Sequence, residues 1–214
     1  SLNPEDVNLW ALLAEAQINN KLFDDALLSI EKGKLINPLI SELYFAEGSI
    51  YISQNKKQRA KKSLEQGLQI EPKNTNALFQ YGNIFLMEKN YKKALSKYNK
   101  IIEIKANFWQ AINNKGLIYF EQDAILLAIN NFTKAIEIKK NAESMLALGV
   151  SLKNTDKKKS ILLAREALQK NPNYASFEFR EEQLWGEKLQ RATEELFKLE
   201  ELKKDISIAN LYKN

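Results

Sequence analysis

The sequence predicts an all-α solenoid, a stack of antiparallel helix pairs closed at its C-terminal end by a capping helix. Three observations carry this reading. Residue types return every 34 residues: Gly48, Gly82 and Gly116; Ala26, Ala60, Ala94 and Ala128; Pro4, Pro38 and Pro72. A fixed period of that length marks a repeat array. Within one period, Asn76–Asn107, two amphipathic segments flank a polar turn at Lys89-Asn90, as in two helices folded back on each other. A small residue stands near the middle of each segment, Gly82 in the first and Ala94 in the second. Helices cross closely only where the contact lacks bulk. A mid-helix Gly costs roughly 1 kcal/mol relative to Ala, so its recurrence calls for a packing reason. Gly48 with Ala60, and Gly116 with Ala128, repeat the pair.

Taken in order, residues 1–6 read as the tail of a preceding repeat, because Pro4 lies in phase with Pro38 and Pro72. On that reading the chain is expected to be a fragment cut at a repeat boundary. The alternative is a plain N-cap segment in which Asn3-Pro4 starts the first helix. Five repeats follow, at 7–40, 41–74, 75–108, 109–141 and 142–174. Prolines end the second helix of the early pairs, since Pro cannot continue a helix. In the fifth repeat Met145, Leu148, Gly149 and Leu152 fit a first helix, and Ala164, Ala167 and Pro172 a second. Its halves are out of phase by one residue, so a shorter turn is expected around Asn154–Lys159. Residues 175–214 form the cap. There Trp185, Leu189, Ala192, Leu196, Leu199 and Leu202 recur at spacings of three and four, continuing to Ile206 and Ala209, which predicts one long amphipathic helix. A solenoid needs such an element to cover its last apolar face. The alternative is docking of this helix into another copy's groove.

The repeated residues resemble the tetratricopeptide repeat. Val7–Ile40 supplies Trp10, Leu13, Ala14, Ala26, Ile30, Gly33 and Pro38; Ser41–Asn74 supplies Tyr44, Gly48, Tyr51, Ala60, Leu64, Gly67 and Pro72. Thr75–Phe108 supplies Leu78, Tyr81, Gly82, Phe85, Ala94, Tyr98 and Ile101, and Trp109–Asn141 supplies Ile112, Gly116, Tyr119, Ala128, Phe132 and Ala135. Ala106 and Lys140 stand in proline places, and Gln17, Glu47 and Lys115 also depart from type. The resemblance implies a right-handed superhelix whose inner wall is made by the first helix of each pair. It also implies a groove lined by Phe45, Asn76, Phe79, Gln80, Asn83, Gln110, Asn113, Asn114 and Phe120, with Asn8, Leu12, Glu15, Ile18, Glu42, Ser49, Ile52, Met87 and Leu117 beside them. An amide side chain both donates and accepts, so it can pair with a peptide backbone, and the phenylalanines would anchor apolar side chains.

Composition removes much of enzyme chemistry. There is no cysteine and no histidine, hence no disulfide, no thiolate nucleophile, none of the usual zinc ligands and no imidazole base. Acidic pairs such as Asp24-Asp25, Glu181-Glu182, Glu194-Glu195 and Glu200-Glu201 sit next to Lys and Arg on helical faces, the pattern of solvated ion pairs. No phosphate-cradling glycine loop appears. The reading is therefore of a chain that is not an enzyme, with no catalytic residue, no metal and no cofactor. No apolar run approaches the ~20 residues of a membrane span and no signal-peptide pattern opens the chain. A cytoplasmic location is expected, unless an upstream targeting or membrane segment precedes Ser1.

Lysines gather at the inter-helix turns. Lys56, Lys57, Arg59, Lys61 and Lys62 mark one, Lys92 and Lys93 the next, and Lys157–Lys159 another. Stacked, they would form a basic edge able to meet anionic lipid, nucleic acid or an acidic protein. The Lys, Asn and Arg clamp of repeats that grip chaperone C-termini is absent: its places hold Ala11, Glu15, Ala46, Asn76 and Gln80. Base-reading cousins of this repeat carry a polar residue at the fifth place of each unit. Here those places hold Ala11, Phe45, Phe79 and Asn113, which argues against specific nucleic-acid binding. The function expected is a scaffold that holds a peptide or helix of another protein in the groove, during assembly of a complex. The alternative is an accessory module of a longer enzyme or membrane-associated factor, docked through the basic edge.

Overall fold

The computed structural model describes residues 6–212, and every regular element among them is helical. The reading of residues 1–6 as the tail of a repeat falls, apart from Asp6, outside the described residues. The chain divides into two compact units, one ending at Phe85 and the other beginning at Leu86.

The N-terminal unit contains α1 (Val7–Asn19), α2 (Phe23–Ile36), α3 (Ser41–Ser53), α4 (Lys57–Ile70) and α5 (Thr75–Met87) as far as Phe85. Helix α1 packs on α2 and α3 on α4, and α3 also meets both α2 and α1. Ala14, Ala26, Ile30, Leu43 and Ile50 form one buried cluster. The small-residue crossing is present where α3 meets α4: a Cβ added to Gly48 would lie 3.0 Å from Leu64 and 3.7 Å from the Ala60 carbonyl. Two departures from the repeat pattern have a physical reason. Ser29 donates a hydrogen bond to Gln17 at 2.7 Å, and Ser63 donates to Glu47 at 2.7 Å while Lys34 pairs with the same carboxylate at 2.6 Å. The helix pairs are thus pinned by polar bonds across a mostly apolar seam, and those bonds satisfy the buried serines.

The C-terminal unit continues with α6 (Tyr91–Ile104), α7 (Trp109–Glu121), α8 (Ile125–Ile138), α9 (Ala142–Leu152) and α10 (Lys157–Lys170), each packed on its neighbour from α6·α7 onward. A 3₁₀ turn (Pro172–Ala175), α11 (Phe177–Glu182), α12 (Glu187–Phe197), a second 3₁₀ turn (Glu200–Leu202) and α13 (Lys203–Tyr212) complete it. One cluster runs from Leu117, Phe120, Phe132 and Met145 through Ala164 and Leu168 to Trp185, Leu189, Leu196, Leu202 and Ala209. Helix α13 packs on α10 and on the first 3₁₀ turn, covering the last pair.

The first four helix pairs close their inner turn in the same way. Lys21, Asn55, Lys89 and Asp123 each adopt a positive φ, between 55° and 61°. Around Lys21 the N–H of Leu22 reaches Gln17 O at 2.8 Å and that of Lys21 reaches Ile18 O at 2.9 Å. This is the bonding of a Schellman stop, which ordinarily uses glycine because a Cβ is strained there. Lys21→Gly is therefore expected to stabilise the chain by about 0.5–1 kcal/mol in urea denaturation. The fifth pair lacks the left-handed residue: Lys153 ends α9 with φ −46° and ψ −41°. Lys153→Gly is expected to destabilise by a similar amount, so the two variants should move the midpoint in opposite directions.

Two expectations are corrected. The fifth pair's turn is not shorter: it has four residues, 153–156, where the others have three, and the residues are lost from α9, which has 11 where α7 has 13. Asp156 caps α10 by accepting from the Lys159 N–H at 3.0 Å, which sets where the second helix begins. Nor is 181–209 one long helix. Leu184 takes φ 66°, the Leu184 N–H bonds Glu181 O at 2.9 Å, and the Trp185 N–H bonds Arg180 O at 3.1 Å. The Schellman stop of the inner turns thus ends α11, and the chain restarts at Gly186.

Candidate functional site

In the N-terminal unit the first helices α1, α3 and α5 form a wall. Helix α1 meets α3, and α3 is tied to α5 by the Gln80 amide, which donates to Ser49 at 3.0 Å. Asn8, Leu12, Glu15, Glu42 and Asn76 are exposed on it; Ile18, Ser49, Ile52, Phe79, Gln80 and Asn83 are half-buried. Leu12 is 61% exposed. Phe45 lies partly inside: its ring fills the space beside Gly67 of α4, where an added Cβ would come within 2.3 Å of Cε1. The wall therefore offers one open leucine, two carboxylates and amides at its rim, with Phe79 and Ile52 half-open between them.

The corresponding wall of the C-terminal unit is filled by the chain itself. Helix α12 packs across α7 and α9. Its N-terminus, which has no side-chain cap of its own, is capped by Glu121 of α7, whose carboxylate accepts from the N–H groups of Leu189 at 3.0 Å and Lys188 at 3.3 Å. A carboxylate there meets the orphan N–H groups and the positive end of the helix dipole. Gly186 makes the approach possible, since a Cβ there would lie 2.2 Å from the Glu121 carboxyl carbon. Lys188 pairs with Asp123, and Lys89 with Glu187 at 2.6 Å.

Packing within the unit corrects part of the expected groove. Asn113, Asn114 and Phe120 are buried, at 0%, 6% and 8% exposure, and Gln110 is half-buried. The two amides are satisfied from within. Asn113 donates to Glu143 at 2.9 Å and accepts from Ser144 at 2.7 Å, while Asn114 donates to Tyr98 at 3.3 Å. Phe120 shares a cluster with Trp185 and Leu189. Glu143 is the hub: Trp185 also donates its indole N–H to it at 3.4 Å, and the Tyr174 hydroxyl faces it. Burial pushes its carboxyl up to about 7, against the lowering pull of Asn113, Trp185 and Tyr174.

Arg180 anchors the same segment. Its side chain is fully buried and donates to Tyr174 O at 2.7 Å, Ala175 O at 3.2 Å, Gln190 Oε1 at 2.8 Å and the Glu194 carboxylate. None of Glu121, Glu143 and Arg180 is singled out by the sequence reading. The one signal was Gly186, a glycine inside an otherwise helical pattern.

Of the basic residues, Lys56, Lys57, Arg59 and Lys61 lie in the α3–α4 turn and the first two turns of α4, in the N-terminal unit. Arg59 stands 5.7 Å over the Tyr51 ring and Lys61 5.7 Å over Phe85. Lys92 and Lys93 are exposed at the start of α6, in the C-terminal unit. Among the described residues no group of three or more His, Cys, Asp or Glu side chains is placed to hold a metal ion.

Residues 41–74 and 110–141 match one family model described as tetratricopeptide repeat, and residues 76–104 match another of the same description. Residues 41–74, 76–104 and 110–141 are thus tetratricopeptide repeats, a module of protein interaction. Solved structures share the fold. MamA of Desulfovibrio magneticus RS-1 aligns with a TM-score of 0.69 at 17% identity, over 79% of this chain and 96% of that one. YrrB, described as a TPR protein with an unusual peptide-binding site, aligns with a TM-score of 0.66 at 18% identity, over 80% and 90%. PilF of Pseudomonas aeruginosa aligns with a TM-score of 0.66 at 14% identity, over 97% of both chains. Identities this low establish the fold alone. No curated protein matches the chain in sequence.

Proposed function

We propose that the chain is a non-catalytic scaffold that holds a peptide or helix of another protein on the α1–α3–α5 wall of its N-terminal unit. The observation that carries this is the contrast between two equivalent walls. In the C-terminal unit the first-helix wall is covered by α12, and its amides bond within the chain. In the N-terminal unit Asn8, Leu12, Glu15, Glu42 and Asn76 stay exposed. The C-terminal wall also illustrates what such a wall accepts: an amphipathic helix with apolar residues inward, a carboxylate at its N-terminus and lysine on its flank. Description of YrrB by a peptide-binding site is consistent with this use of the fold.

The test is a paired pull-down from the source organism, read by mass spectrometry. One bait is the unmodified chain and the other carries Leu12→Asp, Asn76→Ala and Phe79→Ala, shown by circular dichroism to be folded. A partner held by the first bait and reduced at least tenfold on the second supports the wall. Equal capture by both baits would remove it as the site.

A further inference from the structure

A different surface, in the C-terminal unit, breaks the repeat pattern in a way that points to a second kind of partner. The second and third residues of the second helices are polar or charged in four of the five pairs: Asp24-Asp25, Gln58-Arg59, Lys92-Lys93 and Lys158-Lys159. In α8 they are Leu126-Leu127. Leu126 is 83% exposed and Leu127 49%. The helices before and after α8 in the stack, α6 and α10, carry Lys92-Lys93 and Lys158-Lys159 at the same places, and all four lysines are exposed.

Among the described residues Lys92, Lys158 and Lys159 make no ion pair. Asp123 is paired with Lys188 and Glu187 with Lys89, while Asp156, which caps α10 through the Lys159 N–H, leaves one negative charge beside the lysines. Glu88, in the α5–α6 turn, is outweighed by the four lysines. An apolar pair at the tip of a helix between two basic pairs is complementary to an anionic bilayer surface. Leucine gains by entering the acyl boundary, and lysine stems lie along apolar matter while their ammonium groups meet phosphate. A protruding pair offers little area to a protein groove, and an acidic peptide would leave the leucines in water.

We propose that the edge formed by Lys92, Lys93, Leu126, Leu127, Lys158 and Lys159 docks the protein on an anionic lipid surface. No described helix is long and apolar enough to cross a membrane, so this contact is peripheral, and it leaves the wall of the N-terminal unit to its protein partner.

The test is co-sedimentation of the full chain with vesicles of phosphatidylcholine alone and of phosphatidylcholine with about a third phosphatidylserine. Two variants accompany the wild type, Leu126→Ser with Leu127→Ser, and Lys92→Glu with Lys158→Glu, both checked for unchanged thermal unfolding. The wild type is expected to sediment with the anionic vesicles only and to be released by high salt, as exposed charge contacts are screened. Each variant is expected to lose at least tenfold in partitioning. No binding of the wild type to anionic vesicles, or binding that the leucine variant retains in full, would overturn the proposal. So would retention of a poly-glutamate peptide by the leucine variant together with wild-type indifference to lipid, which would assign the edge to an acidic protein.

Discussion

Arg180→Ala is expected to cost about 3–5 kcal/mol in urea denaturation, the largest effect of any single substitution considered. The guanidinium is wholly enclosed, and its carbon stands 5.4 Å over the Phe197 ring. Removing it opens a cavity and strands the carbonyls of Tyr174 and Ala175 and the Gln190 amide oxygen without a donor. Orphaned buried acceptors carry most of the penalty, because Glu194 reaches solvent with half of its side chain and can rehydrate. Burial lowers the arginine pKa, opposed by Glu194. The effect should be local before it is global. Trp185 is buried in the same segment, so its fluorescence should shift at lower urea than the loss of helical circular dichroism. A change under 1 kcal/mol, or coincident transitions by both probes, would show that Arg180 is not what holds α11 and α12 on the wall.

Glu143→Gln is expected to stabilise the chain at pH 8, by about 1–3 kcal/mol, and to flatten its pH dependence. The folded carboxyl has its pKa raised to about 7, chiefly by burial, from an ordinary value of 4.5. A raised carboxyl binds its proton more tightly in the folded than in the unfolded chain. The stability it contributes is therefore complete below about 4.5 and is lost as pH rises through about 7. Glutamine keeps the oxygen that Asn113 and Trp185 donate to and carries no charge at any pH. Thermal unfolding from pH 5 to 8 should show the wild type losing stability along this window and the variant holding level. Parallel profiles would mean that the carboxyl is hydrated and titrates normally. Because Glu143 links α7, α9 and the Trp185 turn, the same profile reports how firmly the C-terminal segment sits at neutral pH.

The repeat architecture was legible because the sequence states it many times over. Ala26, Ala60, Ala94 and Ala128 mark the crossings independently, so Gln17, Glu47 or Lys115 could depart without hiding the period. The C-terminal segment is stated once. Its apolar stripe from Trp185 to Ala209 passes unbroken through α12, the second 3₁₀ turn and α13, because all three turn the same side to one core. A stop built on Leu184, with neither glycine nor asparagine in the left-handed position, leaves no local mark. The groove divides for a related reason. Residue type told that Asn113 and Asn114 were amides on a first helix; only packing decides that they are buried, Asn113 against Glu143 and Ser144 of α9 and Asn114 against Tyr98 of α6. Nothing local in the amides Asn76 and Gln80 distinguishes them from their counterparts one repeat later, Gln110 and Asn114. What separates the two walls further is α12, bonded to α7 across 67 and 68 residues of sequence, and non-local contacts are the part of a fold that periodicity cannot carry.

The central claim is that the two first-helix walls differ, one open to a partner and one filled by the chain. Hydroxyl-radical footprinting read by mass spectrometry tests it, on the chain alone and on the complex captured by the unmodified bait. In the free chain Leu12, Ile52 and Phe79 should be oxidised readily, with Phe120, Trp185 and Leu189 protected. In the complex protection should extend to Leu12, Ile52 and Phe79, and Trp185 should stay protected. Oxidation of Trp185 and Leu189 on complex formation, with Leu12 unchanged, would contradict the account: the partner would then displace α12 and occupy the C-terminal wall.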